Sequence, residues 1–155
     1  MIVIIGILAV ALIPRLTWVQ GMARDKARIA DIKQIQTALE FYASENNGRY
    51  PISTGWLSNW RWLCWWYNIG YESSGPNWWI PNLAPDYMSS LPSDPKPTTI
   101  WGPGWHWCYI YKSDGIDYIV WAFRSVEWVV PNDFKRPGRP TQKTFVVYSS
   151  WARMW

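Results

Sequence analysis

The side chains able to do chemistry are few and scattered. Cys64, His106 and Cys108 carry the chain's only thiols and its only imidazole. Two cysteines and one histidine cannot fill a Cys/His zinc cluster, a haem-attachment motif or an iron–sulfur set. His106 stands two residues before Cys108, but no acidic or amide orienter accompanies the pair, so it does not read as a thiol nucleophile with its base. Asp86, Asp94, Asp114 and Asp117 offer the hard oxygen donors that Ca²⁺ takes. The run Asp114-Gly115-Ile116-Asp117 matches no EF-hand loop, and aspartates capping turns explain it equally well. Lys135, Arg136, Arg139 and Lys143 form the one basic cluster, in Pro/Gly-rich sequence near the C terminus. Such a stretch can touch phosphates, but it is more often a solvated loop. The net charge of +4, from 15 Lys+Arg against 11 Asp+Glu, does not announce nucleic acid. There is no Walker loop, no GxGxxG and no GxSxG. The chain reads as a non-enzyme with no metal and no cofactor.

The distribution of apolar residues is more informative. Met1 to Ile13, MIVIIGILAVALI, contains no polar side chain, and Leu16 to Val19 add further apolar positions after Pro14 and Arg15. Nothing basic precedes the run and Pro14-Arg15-Leu16 is a poor cleavage site, which argues against a signal peptide. A helix apolar on every face is stable only in lipid or against other helices. The expectation is the end of a membrane-spanning or bundle-buried helix whose start lies outside this sequence. From Ala23 to Asn46 no Gly or Pro interrupts a run of helix formers. Ile32, Ile35, Leu39 and Tyr42 recur at three- and four-residue steps and define a face for packing on a head. Ala23, Ala27 and Ala30 form a small-residue strip, and Arg24, Asp25, Lys26, Arg28, Asp31 and Lys33 are assigned to the opposite, solvated side. There, Asp25/Arg28 and Arg28/Asp31 stand at pairing distance. Asn46-Asn47-Gly48 stops the helix and Pro51 prevents its resumption. Pro14 costs a helix about 3 kcal/mol and Gly6 about 1 kcal/mol, so residues 6–14 are where it is expected to bend or melt.

After Gly48 the chain turns to strand- and loop-forming sequence. Trp101–Tyr111 and Gly115–Val130 are rich in aromatic and β-branched residues. Ser113-Asp114-Gly115 reads as a hairpin turn between strands at Tyr109–Tyr111 and Tyr118–Trp121, and Phe145–Tyr148 as a third strand. Residues 51–97 read as mostly loop, with a short helical turn near Ala84–Ser90. The organisation is a hydrophobic helix over 1–22, an amphipathic helix over 23–48 and a Trp-rich β head over 49–155.

This pattern resembles the type IV pilins and the related pseudopilins of type II secretion. IIGILAVALIPRL resembles the family's hydrophobic signature, and ARDKARIADIKQIQTALEFYASENNGRYP its helix-to-loop junction, ending here in Glu45–Pro51. Leu91-Pro-Ser-Asp-Pro95 resembles the family's LPxDP loop and Tyr109–Tyr118 the hairpin that follows it. Two departures stand out. Aligned on Gly6 and Pro14, the chain starts inside the hydrophobic run, about two helical turns late, and no glutamate precedes Glu40. The family's processing site and docking glutamate are therefore assigned to no residue of this sequence, and the expectation is a reading frame that starts earlier or a native chain longer than the one given. Asp94-Pro95 also continues as Lys96-Pro97, without the Trp-Gly-x-Pro-Tyr typical of major pseudopilins, which favours a pilus over a secretion pseudopilus.

The resemblance implies an α+β, pilin-like fold, a long protruding N-terminal helix packed on a small antiparallel sheet with long loops. It implies a major pilin held in the cytoplasmic membrane and then polymerised into an extracellular, cell-surface filament. Copies of the same chain are the main partner, with a prepilin peptidase and the pilus assembly machinery as handlers. Ile2, Ile5, Gly6, Leu8, Leu12 and Pro14 are the expected helix-core assembly residues. An exported head meets an oxidising compartment, so Cys64 and Cys108 are expected to form a disulfide closing a loop of about 45 residues, worth up to about 4 kcal/mol. The 15 tryptophans exceed what a small head can bury. Trp121, Trp128 and Trp107 are assigned to strand packing. Trp60, Trp62, Trp65, Trp66, Trp78 and Trp79 are assigned to the surface or to contacts between subunits, with stacking on surface glycans as a further use. The alternatives are a secretion pseudopilin and a minor, glycan-binding adhesin.

Overall fold

The computed structural model describes residues 2–52, 61–62, 80–96, 108–123, 126–139 and 141–152, with the side chains of 2–17, 61–62, 108 and 123 outside that description. One long helix packs on a small antiparallel sheet, an α+β arrangement. Helix α1 spans Ile2–Glu45 and continues through Gly6 and Pro14. Strands β1 (Arg61–Trp62), β2 (Cys108–Ser113), β3 (Tyr118–Phe123) and β4 (Phe145–Tyr148) form a meander in the order β1-β2-β3-β4, every neighbour antiparallel. A single 3₁₀ turn, Asn132–Phe134, lies between β3 and β4. Among the described residues, no helix is long and apolar enough to cross a membrane.

The helix stops where its sequence supplies left-handed residues. Asn47 takes φ 56° and Gly48 φ 75°, and the Gly48 amide returns to the Ala43 carbonyl at 2.8 Å. That six-to-one bond is a Schellman closure with Asn47 in the left-handed position. The Tyr50 amide then donates to the Gly115 carbonyl at 3.0 Å, and Tyr111 Oη donates to the carbonyl of buried Pro51 at 2.6 Å. The chain leaving the helix is thus tied at once to the β2–β3 hairpin. That hairpin turns at Asp114–Asp117, where Gly115 takes φ 92°. Asp114 Oδ1 accepts the amides of Ile116 and Asp117 at 2.9 and 2.8 Å, the local bonding that makes aspartate a turn former.

Alternation along the strands sorts the sheet into two faces. Tyr109, Tyr111, Tyr118, Val120, Ala122, Phe145 and Val147 join the helix's Ile32, Ile35, Ala38 and Leu39 in the main core, completed by Ile80, Leu83, Leu91, Val126 and Phe134. Tyr42 packs on its border. Ile110, Ile119, Trp121, Val146 and Ala152 form a second cluster on the other face. Fully burying Ile32, Ile35 and Leu39 contributes about 1.5–3 kcal/mol each.

Residues 80–90 are a run of turns and bends that includes one helical-type turn, the Tyr87 amide donating to the Leu83 carbonyl at 3.0 Å, as the sequence suggests. Two expectations are corrected. Trp128 lies beyond β3 and is half exposed. Its amide and that of Glu127 go to the Asp25 carboxylate, so neither is available to a strand partner. The larger correction concerns the helix faces. Ala23 and Ala30 are exposed, whereas Asp25 and Arg28 are buried, Arg28 completely.

Candidate functional site

The buried face of α1 runs backwards from Leu39 through Ile35, Ile32, Arg28 and Asp25 to Gly21, steps of three and four that keep one side of a 3.6-residue helix. Its upper part is apolar and its lower part is charged. Two head loops close over the charged part, one carrying Asp94 and Lys96 and the other Val126–Trp128.

Arg28 is the centre. Its Nε and one terminal nitrogen bind Asp94 in a two-point fork at 2.9 and 2.8 Å. Its other terminal nitrogen binds Asp25 at 2.8 Å and Glu127 at 3.0 Å. Arg24 forks onto Glu127 at 2.7 and 2.6 Å, and Lys96 Nζ stands 3.7 Å from the same carboxylate. Backbone amides supply further donors. Asp25 receives those of Glu127 and Trp128, the latter at 2.7 Å, and Asp94 receives that of Lys96 at 2.9 Å. Three cations meet three carboxylates, and every carboxylate takes several donors. A buried charge survives in this form because pairing and hydrogen bonding offset its lost hydration.

The electrostatics follow. Burial opposes the charge of Arg28, but the bonds and charge of Asp94, then those of Glu127 and Asp25, outweigh it and raise its pKa above the ordinary arginine range. The Arg24 bonds lead in pulling Glu127 down to about 2, against partial burial and with help from Arg28. Higher along the helix, tyrosines take over. Tyr109 Oη donates to Asp31 at 2.6 Å, Tyr118 and Tyr50 both donate to Glu40 at 3.0 Å, and Tyr87 donates to Glu45 at 2.8 Å. Burial raises Tyr109 and Tyr118, and the neighbouring carboxylates raise them further. The four acidic residues of α1, Asp25, Asp31, Glu40 and Glu45, therefore all accept hydrogen bonds from the head.

This arrangement positions one element on another. The guanidinium of Arg28 occupies the point on which the carboxylates converge, and among the described residues no group of three or more His, Cys, Asp or Glu is placed to hold a metal. The four aspartates singled out by type do not converge. Asp94 serves Arg28, Asp114 caps the hairpin, Asp117 accepts from Ser149, and Asp86 is exposed. In the basic cluster, the Arg136 guanidinium stands over the Trp121 ring at 5.5 Å.

Ile32, Ile35 and Leu39 are buried against the sheet, with Tyr42 at the edge. Ile2, Ile5, Gly6, Leu8, Leu12 and Pro14 lie on the α1 backbone, and their side chains lie outside the described residues. Cys64 lies outside them too, while Cys108 is described only as the first residue of β2. Trp60, Trp65, Trp66, Trp78, Trp79 and Trp107 lie outside as well, and Trp62 is described only as backbone in β1. Reading by residue type missed the clamp. The signal that finds it is the uninterrupted three- and four-residue stepping from Leu39 down to Asp25. No protein-family model, no curated protein and no solved structure matches this chain.

Proposed function

We propose that the chain is the structural subunit, a major pilin, of an extracellular type IV pilus-like helical filament, polymerising through its N-terminal helix from a membrane-held precursor. One observation carries this reading: α1 is a single helix of 44 residues, continuous through Gly6 and Pro14. At 1.5 Å per residue the helix measures about 66 Å, whereas a domain of 100 residues has a radius of gyration of about 13 Å. The surplus lies toward Met1–Ile13, which carries no polar side chain. Such a rod needs lipid or copies of itself around it. A subunit repeated by a non-closing operation gives a filament. The clamp supports the same role, because a head borne on a shared helical core must be fixed on its helix in register. In this reading the paired charges set that register, a use attested for buried polar groups in other systems.

Deleting the coding sequence in the source cells tests the reading. Loss of surface filaments, restored by re-expression, is the expected result. Filaments undiminished by the deletion would overturn it, and a secretion defect without loss of filaments would assign the chain to a secretion pseudopilus.

A further inference from the structure

Where the apolar run of α1 meets the head, four apolar side chains are left in the open. Trp18 and Trp128 form an edge-to-face pair with ring centroids 4.9 Å apart and planes at 82°. Both are about half exposed, and Val19 and Val129 beside them are likewise exposed. The pair joins two distant parts of the chain, the helix and the loop after β3. It frames a shallow hollow whose other walls are Gly21, Met22 and Glu127.

We infer that this Trp18–Trp128 patch seats in the headgroup layer of the bilayer that holds the subunit before assembly, so that the head rests on the membrane surface. The inference rests on the membrane-held precursor proposed above. Two observations favour lipid as the occupant. The patch is continuous with the apolar sequence that leads into it. Indoles are the side chains that settle at the membrane–water boundary, with an apolar body and one N–H for the wet side. Charge points the same way. Asp25 and Glu127, the carboxylates nearest the patch, are tied up by Arg24 and Arg28. Arg15 stands about one turn before Trp18 and exposed Lys26 about two turns after it. Basic residues thus flank the patch in sequence, as anionic headgroups favour.

The test uses the full chain labelled with 5-fluorotryptophan in nanodiscs containing phosphatidylglycerol, one chain per disc. The Trp18→Phe and Trp128→Phe variants identify the two ¹⁹F resonances, and Trp151, at 78% exposure, serves as the aqueous reference. A spin label near the lipid glycerol is expected to broaden Trp18 and Trp128 several-fold more than Trp151, and a water-soluble relaxation agent to do the reverse. Trp128 relaxing like Trp151 in nanodiscs would overturn the inference and leave the membrane-held precursor standing. If Trp128 then became protected only in assembled filaments, the patch would belong to a second copy. A chain that does not enter nanodiscs at all would overturn the precursor reading and the inference together.

Discussion

The two halves of the helix–head contact are held by different physics. From Ile32 to Leu39 the helix meets the sheet through aliphatic side chains that touch no water. From Gly21 to Arg28 it meets the loops through Arg24, Asp25 and Arg28. The apolar half supplies association, since each buried side chain contributes whatever its exact rotation. The charged half contributes less net energy, because desolvation cancels much of the attraction. It supplies selectivity instead. The bonds from Arg28 to Asp94 and Glu127, and from the amides of residues 127 and 128 to Asp25, all depend on how the helix is turned and shifted against the head. A helix that must sit on its head in one register gains more from such a lock than from another leucine.

Breaking the lock on one side sharpens the contrast most. Arg28→Met leaves Asp94 and Asp25 buried without their cation and is expected to cost about 3–5 kcal/mol, read as a fall in unfolding midpoint of the full chain in detergent. The paired change Arg28→Met with Asp94→Leu should recover much of that loss, whereas a purely additive outcome would contradict the coupled description. In the apolar half, Leu39→Ala should cost about 2–5 kcal/mol by cavity formation. No second substitution in the clamp should repair it.

Acid separates the halves without mutation. Glu127 is held down to about 2 by Arg24 and Arg28, below its usual value of about 4.5. A depressed carboxylate contributes stability that is present above its unfolded pKa and lost as pH falls through the folded one. The melting temperature should therefore fall between about pH 4.5 and 2, and Glu127→Gln should flatten that slope. Alkali acts on the tyrosines. Tyr50 is pushed up to about 12, first by burial and then by Glu40, and Tyr118 rises for the same reasons. The Tyr50 contribution is present below pH 10 and lost as pH rises through about 12, and Tyr118, raised in the same direction, loses its contribution further into alkali. The smallest expected effect is Tyr118→Phe, about 1.5–3 kcal/mol for one bond to a charged group. It should also remove part of the alkaline loss seen in thermal melts.

Local signals were legible in the sequence and distant pairings were not. The stop at Asn46–Gly48, the Asp114–Gly115 turn and the β4 stretch are each written in neighbouring residues, and the backbone follows them. Tyr109 and Tyr111 in β2 and Tyr118 and Val120 in β3, each pair two residues apart, likewise announce a two-faced sheet. Arg28 defeats such reading because its partners are 66 and 99 residues away. Without them, an arginine between Ala27 and Ile29 belongs on the wet side. Trp128 was misplaced for a related reason. Its β-rich surroundings favour a strand, but a carboxylate on the helix claims its amide. The two-residue β1 pairs with Ile110 and Tyr111 from sequence crowded with turn residues, where propensity gives no warning of a strand.

The proposed filament, built around the N-terminal helices, is tested by helical cryo-EM of filaments sheared from the source cells. A map into which the whole chain can be traced is the expected result. The helices over residues 2–19 should pack together along the axis, and the heads, clamped at Arg28, should lie outside. Filaments that trace to a different protein, or a map of this chain with the N-terminal helix facing solvent, would contradict it.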